Sequence, residues 1–285
     1  MSEDWEDFTS GFVAVLGRPN VGKSALVNAL VETKVTIVSD KPNTTRTQVR
    51  GIITQDACQV VLVDTPGIHR PRTPLGARLN ETASEAASDV DLVLVVVDAS
   101  APTGPGDRRV LESASPECFV VVNKIDLVPP GELLKRLQEL SAWNKAAYFP
   151  VSARTGKGVD ELRREIMAKM PPGPPYYPAA MHADTTETEW IAELVREELL
   201  AIVRDELPHS IATAVTEVEG RYVRCEIFVE RDSQKAIVLG RHGENLKRVG
   251  TIVRSSLPKG YYLDLVVKVA KDWQSQARYL DQFGI

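Results

Sequence analysis

Residues 17–24 read Gly17-Arg18-Pro19-Asn20-Val21-Gly22-Lys23-Ser24 and follow an apolar run from Phe12 to Leu16. The spacing G-x-x-x-x-G-K-S after a strand leaves little freedom of fold. Glycines at 17 and 22 let backbone N–H groups close on phosphate oxygens, and the helix that must follow points its positive end at the same place. Lys23 reaches the β- and γ-phosphates, and the Ser24 hydroxyl is placed to ligate Mg2+. A strand, a tight glycine loop and a helix in that order form the first unit of an open, mostly parallel sheet.

The chain keeps that rhythm to about residue 170. Strand-like runs fall at 12–16, 48–54, 60–64, 92–98, 119–123 and 148–151, with helical stretches at 23–31, 75–88, 107–113, 131–143 and 158–170 between them. Four of the strand runs are almost continuously apolar, as strands covered on both faces must be. The expectation is an α/β fold: a P-loop domain with a doubly wound sheet over 1–171. Five prolines then occur in eight residues, 171–178. They cannot continue a helix, so 172–186 reads as an extended, semi-rigid linker. A smaller α+β unit is expected over 187–285. It starts with an acidic helix at 187–207 and continues with strands at 211–218, 222–231 and 235–239, the last two joined by a turn at 231–234. A glycine loop at 240–243, a helix at 244–256 and a strand at 261–269 complete it.

With 285 residues there is room for two cores. Cys58, Cys118 and Cys225 are scattered among apolar runs, which reads as buried thiols in a reducing compartment rather than a disulfide framework or a zinc site. The acidic N-terminus has no apolar core, so no secretory signal is expected. The apolar run 92–97 is too short to span a bilayer, and the cytoplasm is the expected location.

Three downstream segments convert the phosphate loop into a guanine-nucleotide site. Asp64-Thr65-Pro66-Gly67 ends an apolar run, so the Asp64 carboxylate is held at the sheet's carboxyl edge to bind Mg2+, and the Gly67 N–H faces the γ-phosphate. In Asn123-Lys124-Ile125-Asp126 the carboxylate accepts the N1–H and 2-amino group of guanine. Adenine offers neither donor, and a buried unpaired carboxylate is costly. Lys124 is expected to lay its stem along the base, Asn123 to brace the loop, and Ser152-Ala153 to present a backbone N–H to guanine O6. In the segment Pro42-Asn43-Thr44-Thr45-Arg46 a threonine is expected to complete Mg2+ coordination when the γ-phosphate is present; Thr45 is favoured, with Thr44 the alternative. The expected catalytic set is thus Lys23, Thr45 and Gly67, and the metal set Ser24, Thr45 and Asp64. Ile68 stands where many GTPases carry a water-orienting glutamine, so intrinsic hydrolysis is expected to be slow. His69 is a weak catalytic candidate, and Asn20 is a candidate to hold K+ beside the phosphates.

Gly240-Arg241-His242-Gly243 opens a helix and fits the G-x-x-G loop of KH domains, whose backbone presses on nucleic-acid phosphates. Between residues 231 and 271 there are nine Lys and Arg against three acids, a local charge of 9 − 3 = +6 in a chain of net charge −5. Such a patch on an acidic protein is a phosphate-binding footprint, with Gly240, Arg241, His242, Gly243, Lys247 and Arg248 as its candidates. A protein- or membrane-surface adaptor is the competing reading of this module. An RNA-modifying enzyme is disfavoured, because Cys225 lies inside an apolar strand.

Together, the residues at 17–24, Thr44-Thr45-Arg46, the run Asp64-Thr-Pro-Gly-Ile-His69 and the C-terminal G-x-x-G unit resemble the Era family of bacterial ribosome-assembly GTPases, of the TrmE-Era-EngA type with a C-terminal KH domain. The resemblance covers nearly the whole chain. It implies a GTPase switch followed by a type II KH domain that binds the 3′ end of 16S rRNA and assists maturation of the 30S subunit. It also implies peripheral association of some members with the inner membrane. From the residues themselves, GTP/GDP with Mg2+ are the expected cofactors, no transmembrane segment is expected, and a monomer is expected since nothing suggests an obligate oligomer. The segment 217–222 looks shorter than in some relatives.

Overall fold

The computed structural model describes residues 7–41, 44–68, 74–204, 207–283 and 285. It divides into two compact units, with the main division after Asp184.

The first unit runs β1 (Thr9–Leu16), α1 (Lys23–Val31), β2 (Val49–Gln55), β3 (Cys58–Asp64), α2 (Pro74–Glu85), β4 (Leu92–Asp98), α3 (Pro105–Ser113), β5 (Phe119–Asn123), α4 (Pro130–Ser141), β6 (Ala147–Pro150) and α5 (Val159–Met167). Its sheet has the order β2-β3-β1-β4-β5-β6; β2 is antiparallel to β3 and every other pairing is parallel. The apolar runs supply both faces. Val13, Leu62, Leu94 and Val121 pack with Leu26 and Leu30 of α1 and with Leu162 and Ile166 of α5. Val95, Val97, Val120 and Val122 pack on the other side with Val110 and Leu111 of α3 and Leu140 of α4. Helix α1 starts at Gly22 with no side-chain cap, so its stability comes from this burial, about 1.5–3 kcal/mol for each fully enclosed aliphatic side chain. Because β1, β3, β4 and β5 are parallel, their carboxyl ends share one edge. The β1–β3 register pairs Val15 with Asp64, the β4–β5 register pairs Asp98 with Asn123, and together they set these polar residues there.

The proline-rich segment is extended, as its composition requires, but it is not a free spacer as far as residue 184. It is laced to the first unit. Gly173 N–H donates to the Phe8 carbonyl, and the Ser10 hydroxyl to the Pro174 carbonyl. The fully buried Gln59 accepts the N–H groups of Tyr176 and Tyr177 at 2.7 and 2.9 Å and donates to the Tyr177 carbonyl at 2.8 Å. Ala183 bridges to Gly51 of β2, which covers part of an otherwise open sheet edge. Prolines lack N–H groups, but the residues between them keep theirs, and those find partners.

The second unit runs α6 (Glu187–Ile202), α7 (Leu207–Ser210), β7 (Ala212–Glu219), β8 (Tyr222–Val229), α8 (Asp232–Leu239), α9 (Glu244–Ser255), β9 (Tyr262–Val269) and α10 (Ala277–Gln282). Thr186 and Glu189 form a capping box at the start of α6, whose Ile191, Leu194, Val195 and Leu199 are buried against Cys225, Ile227, Val249 and Val253. The sheet is β7-β8-β9, with β8 antiparallel to β7 and parallel to β9. One element corrects the sequence reading. Residues 235–239, expected as a strand after a turn at 231–234, belong to helix α8. A four-residue apolar run does not carry a period long enough to separate strand from helix. What decides it is the Gln234 side chain, which accepts the N–H groups of Glu230 and Arg231 at 2.8 and 3.1 Å and so caps the first turn.

Candidate functional site

The phosphate loop leaves β1 and enters α1 with Asn20 and Gly22 at positive φ, 65° and 94°. Lys23 is buried, and its ammonium donates to the Gly17 carbonyl at 3.1 Å and the Arg18 carbonyl at 3.3 Å, so it lies folded across the loop. Burial pulls its pKa down to about 8, and the nearby Asp64 charge offsets only part of that. Val21 is wholly buried in the core. The Arg18 side chain pairs with α3. Its Nε donates to Asp107 at 2.9 Å, and the same carboxylate caps α3 by accepting the Gly104 N–H at 2.9 Å.

Asp64 ends β3 with no exposed surface. Its Oδ2 accepts the hydroxyls of Ser24 at 2.7 Å, Thr36 at 3.2 Å and Thr45 at 3.3 Å, and Ser24 and Thr45 lie 2.9 Å apart. Burial pushes its pKa up, against the pull of Lys23 and these hydroxyls. The other oxygen, Oδ1, is buried without a hydrogen-bond partner among the described residues. Hard oxygen donors converging beside an unsatisfied carboxylate oxygen suit Mg2+. Ser24, Thr45 and Asp64 are therefore the residues that would hold the ion. The Thr44 hydroxyl is directed elsewhere, to the Lys41 carbonyl at 2.7 Å. Thr36 joins the cluster without having been singled out from the sequence, where nothing sets it apart from any polar residue of a loop. Pro42, Asn43 and His69 lie outside the described residues.

Gly67 is required by proximity. A Cβ there would lie 2.8 Å from both the backbone nitrogen and Cγ of Pro19. Ile68 donates its N–H to the Gly17 carbonyl at 3.2 Å and packs its side chain against the cluster of Leu16, Val95 and Val110. The residue at the usual glutamine position thus serves the core.

At the base-recognition end, Asn123 Nδ2 donates to the Val21 carbonyl at 2.9 Å, and its Oδ1 accepts the Ala153 N–H at 3.0 Å. One buried amide therefore holds the phosphate loop and the 152–153 loop together. The Ala153 N–H, expected to face guanine O6, donates here to Asn123, and the Ser152 N–H donates to the Lys157 carbonyl. Ser152 contributes through its side chain, donating to Asp126 Oδ1 at 2.6 Å, while Arg154 pairs with Oδ2 at 2.6 Å. The Ser152 hydroxyl, more than any other group, holds the Asp126 carboxyl below the usual carboxylate range. Lys124, at φ 65°, spans from the base loop to Asn20, whose carbonyl it meets at 2.7 Å.

In the second unit, Gly240 and Gly243 both have positive φ, 72° and 78°. A Cβ on Gly240 would lie 2.8 Å from Asn245 Cγ, whereas Gly243 has open space around it. The glycine loop joins two helices, α8 and α9, and its second glycine sits at the N-terminal end of α9. Arg241, His242, Lys247 and Arg248 are all exposed around it. This is a cationic surface beside a helix start with backbone open to a phosphate chain. The three cysteines are buried free thiols, no His/Cys/acid group of metal-binding size occurs among the described residues, and no helix there is long and apolar enough to cross a membrane.

Comparison with known proteins follows this division of the chain. Residues 12–124 match the family described as 50S ribosome-binding GTPase, and residues 206–274 match the KH domain family. The GTPase Era of Mycobacterium avium (strain 104) is 45% identical over 98% of this chain and 99% of its own length. That of Mycobacterium tuberculosis (strain ATCC 25618 / H37Rv) is 46% identical with the same coverage. Among solved structures, a variant of Aquifex aeolicus Era bound to GDP and AlF4− superposes with a TM-score of 0.92 at 34% identity, over 97% of this chain and 99% of that one. Era in complex with MgGDPNP and nucleotides 1506–1542 of 16S ribosomal RNA gives a TM-score of 0.93 at 34% identity, with the same coverage. Since these relatives match from end to end across both units, and not through the nucleotide domain alone, the chain belongs to the GTPase Era family.

Proposed function

We propose that this chain binds GTP and GDP with Mg2+, hydrolyses GTP slowly, and uses its nucleotide state to set the grip of its KH module on the 3′ end of 16S rRNA, so assisting assembly of the 30S subunit in the cytoplasm. The observation that carries this reading is the combination in one chain of the Ser24–Thr45–Asp64 cluster with an exposed basic glycine loop. The related Era structure aligned over 97% of the chain holds MgGDPNP and an RNA of that kind together.

Each residue has a defined task. The loop N–H groups and Lys23 hold phosphate, and Asp126, oriented by Ser152, accepts the guanine donors. Bound Mg2+ would neutralise charge on the β- and γ-phosphates. Thr45 and the Gly67 N–H are the groups that respond to the γ-phosphate. Ile68 offers no hydrogen bond to an attacking water, so that water depends on backbone groups, an ion or a partner. For the ion we propose K+ held by Asn20 at the left-handed turn of the phosphate loop. Steady-state GTP hydrolysis is expected to be several-fold faster in K+ than in Na+ at equal ionic strength; equal rates would remove the K+ site.

RNA binding is tested by fluorescence anisotropy with a labelled 3′-terminal 16S fragment. Gly243→Asp places a carboxylate where phosphate is gripped; the space around it is open, but its φ of 78° is a left-handed conformation that strains any side chain, so the variant's folding is checked by circular dichroism alongside. It is expected to weaken binding by about tenfold or more, through charge repulsion and lost backbone approach. Affinity of the unsubstituted protein is expected to fall steeply with added salt. Binding that ignores both salt and the substitution would favour the adaptor reading of this module.

A further inference from the structure

Asp98 lies outside the four recognition segments read from the sequence, yet it ends β4 at the site's edge and is 9% exposed. Its Oδ2 lies 2.6 Å from the Lys124 ammonium, and its Oδ1 accepts the Ser100 N–H at 2.9 Å and hydroxyl at 2.6 Å. The second contact of that ammonium is the phosphate-loop carbonyl of Asn20. The Lys124 stem is therefore stretched between a base loop whose backbone is in a left-handed turn and a point fixed jointly by β4 and the phosphate loop. It also passes Gly22, where an added Cβ would sit 3.9 Å from Lys124 Cε.

We propose that Asp98 is a positioning residue for guanine-nucleotide binding, acting through Lys124 by anchoring its ammonium and so holding the base loop in register with the phosphate loop. This rests on the guanine-nucleotide reading above and goes beyond it by naming what orders the lysine. The physical basis is selection among rotamers. A lysine side chain loses much of its rotamer freedom when ordered, and a ligand that must order it itself binds correspondingly more weakly. An anchoring carboxylate makes that loss part of folding instead. Burial alone would raise the Asp98 pKa, but the hydrogen bonds from Lys124 and Ser100 outweigh it and keep the group ionised at neutral pH.

The test is a double-mutant cycle on the full chain, with N-methylanthraniloyl-GDP dissociation followed by stopped-flow fluorescence. Asp98→Ala is expected to speed dissociation about tenfold, the scale of a charge-assisted hydrogen bond. Asp98→Asn, which keeps the shape and the Ser100 contact, is expected to fall between Asp98→Ala and the unsubstituted protein. In a Lys124→Ala background, Asp98→Ala is expected to add less than twofold, because the lysine it positions is gone. The ratio of GDP to IDP affinity is expected to stay unchanged in both Asp98 variants, since the 2-amino group that inosine lacks is read by Asp126. A purely structural role would give equal losses in both backgrounds, and that result would overturn the proposal. So would a dissociation rate for Asp98→Ala within twofold of the unsubstituted protein. Failure of the unsubstituted protein to bind the probe would instead overturn the nucleotide reading, and the proposal with it.

Discussion

Lys23→Ala is expected to raise the GDP dissociation constant by about 100-fold or more in isothermal titration calorimetry. The side chain is buried across two loop carbonyls, and the nearby Asp64 carboxylate offsets only part of the cost of burying its charge. Hydrogen bonds to charged groups contribute about 1.5–3 kcal/mol each, so losing the β-phosphate contact accounts for a change of that size. The pH dependence tests the same residue. With its pKa drawn down to about 8 in the nucleotide-free protein, Lys23 loses its charge as the pH rises through 8. GDP affinity is then expected to decline above pH 8 in the unsubstituted protein, with no corresponding step in Lys23→Ala. Stability of the nucleotide-free protein has the opposite sign. The folded pKa lies below the unfolded value of 10.5, so between about pH 8 and 10.5 the unfolded state binds more protons, and the Lys23 contribution to stability improves with pH. A Lys23→Ala protein that binds GDP within threefold of the unsubstituted one would remove the assigned role.

Asp126→Asn is expected to exchange guanine for xanthine, with GDP weakened about 100-fold and XDP strengthened to a comparable extent, the discrimination typical when a site's polar pairing is inverted. The structure indicates why the exchange should be clean. The Ser152 hydroxyl donates to Oδ1, a bond that an asparagine Oδ1 still accepts. That leaves the amide NH2 in the place of Oδ2, directed as a donor to the 2-carbonyl of xanthine. The pair lost with Arg154 involves a side chain 74% exposed and is worth little. In the unsubstituted protein the lowered carboxyl pKa keeps Asp126 ionised into mild acid, so guanine preference is expected to persist there. Competition titrations with GDP and XDP decide the matter; an asparagine variant that still prefers GDP would show that the base is read elsewhere.

Much of this architecture was legible from spacing. The strands of the first unit announce themselves because both faces are covered, which leaves unbroken runs such as 92–97. The phosphate loop is local chemistry, complete within eight residues. Where the reading failed, the local signal was short or double-valued. Residues 235–239 suit a strand or a helix, and Gln234 decides between them by capping. The prolines of 171–178 indicate extension, but nothing in them shows that Gln59, more than 100 positions away, would satisfy two of the intervening N–H groups. Ser152 was read for its backbone, and only the fold brings its hydroxyl to Asp126.

From the chain alone came a mostly parallel sheet, a glycine loop between β1 and α1, and the expectation of a guanine-reading carboxylate and an RNA-facing glycine loop, because each is signalled by residues close together in sequence. The fold alone settled which charges meet: Lys124 with Asp98 across 26 positions, Arg18 with Asp107 across 89, and the Ser24, Thr36 and Thr45 hydroxyls on one oxygen of Asp64. Those pairings follow from the order of strands in the sheet, which places distant strand ends at one edge, and no local pattern of residues encodes that order.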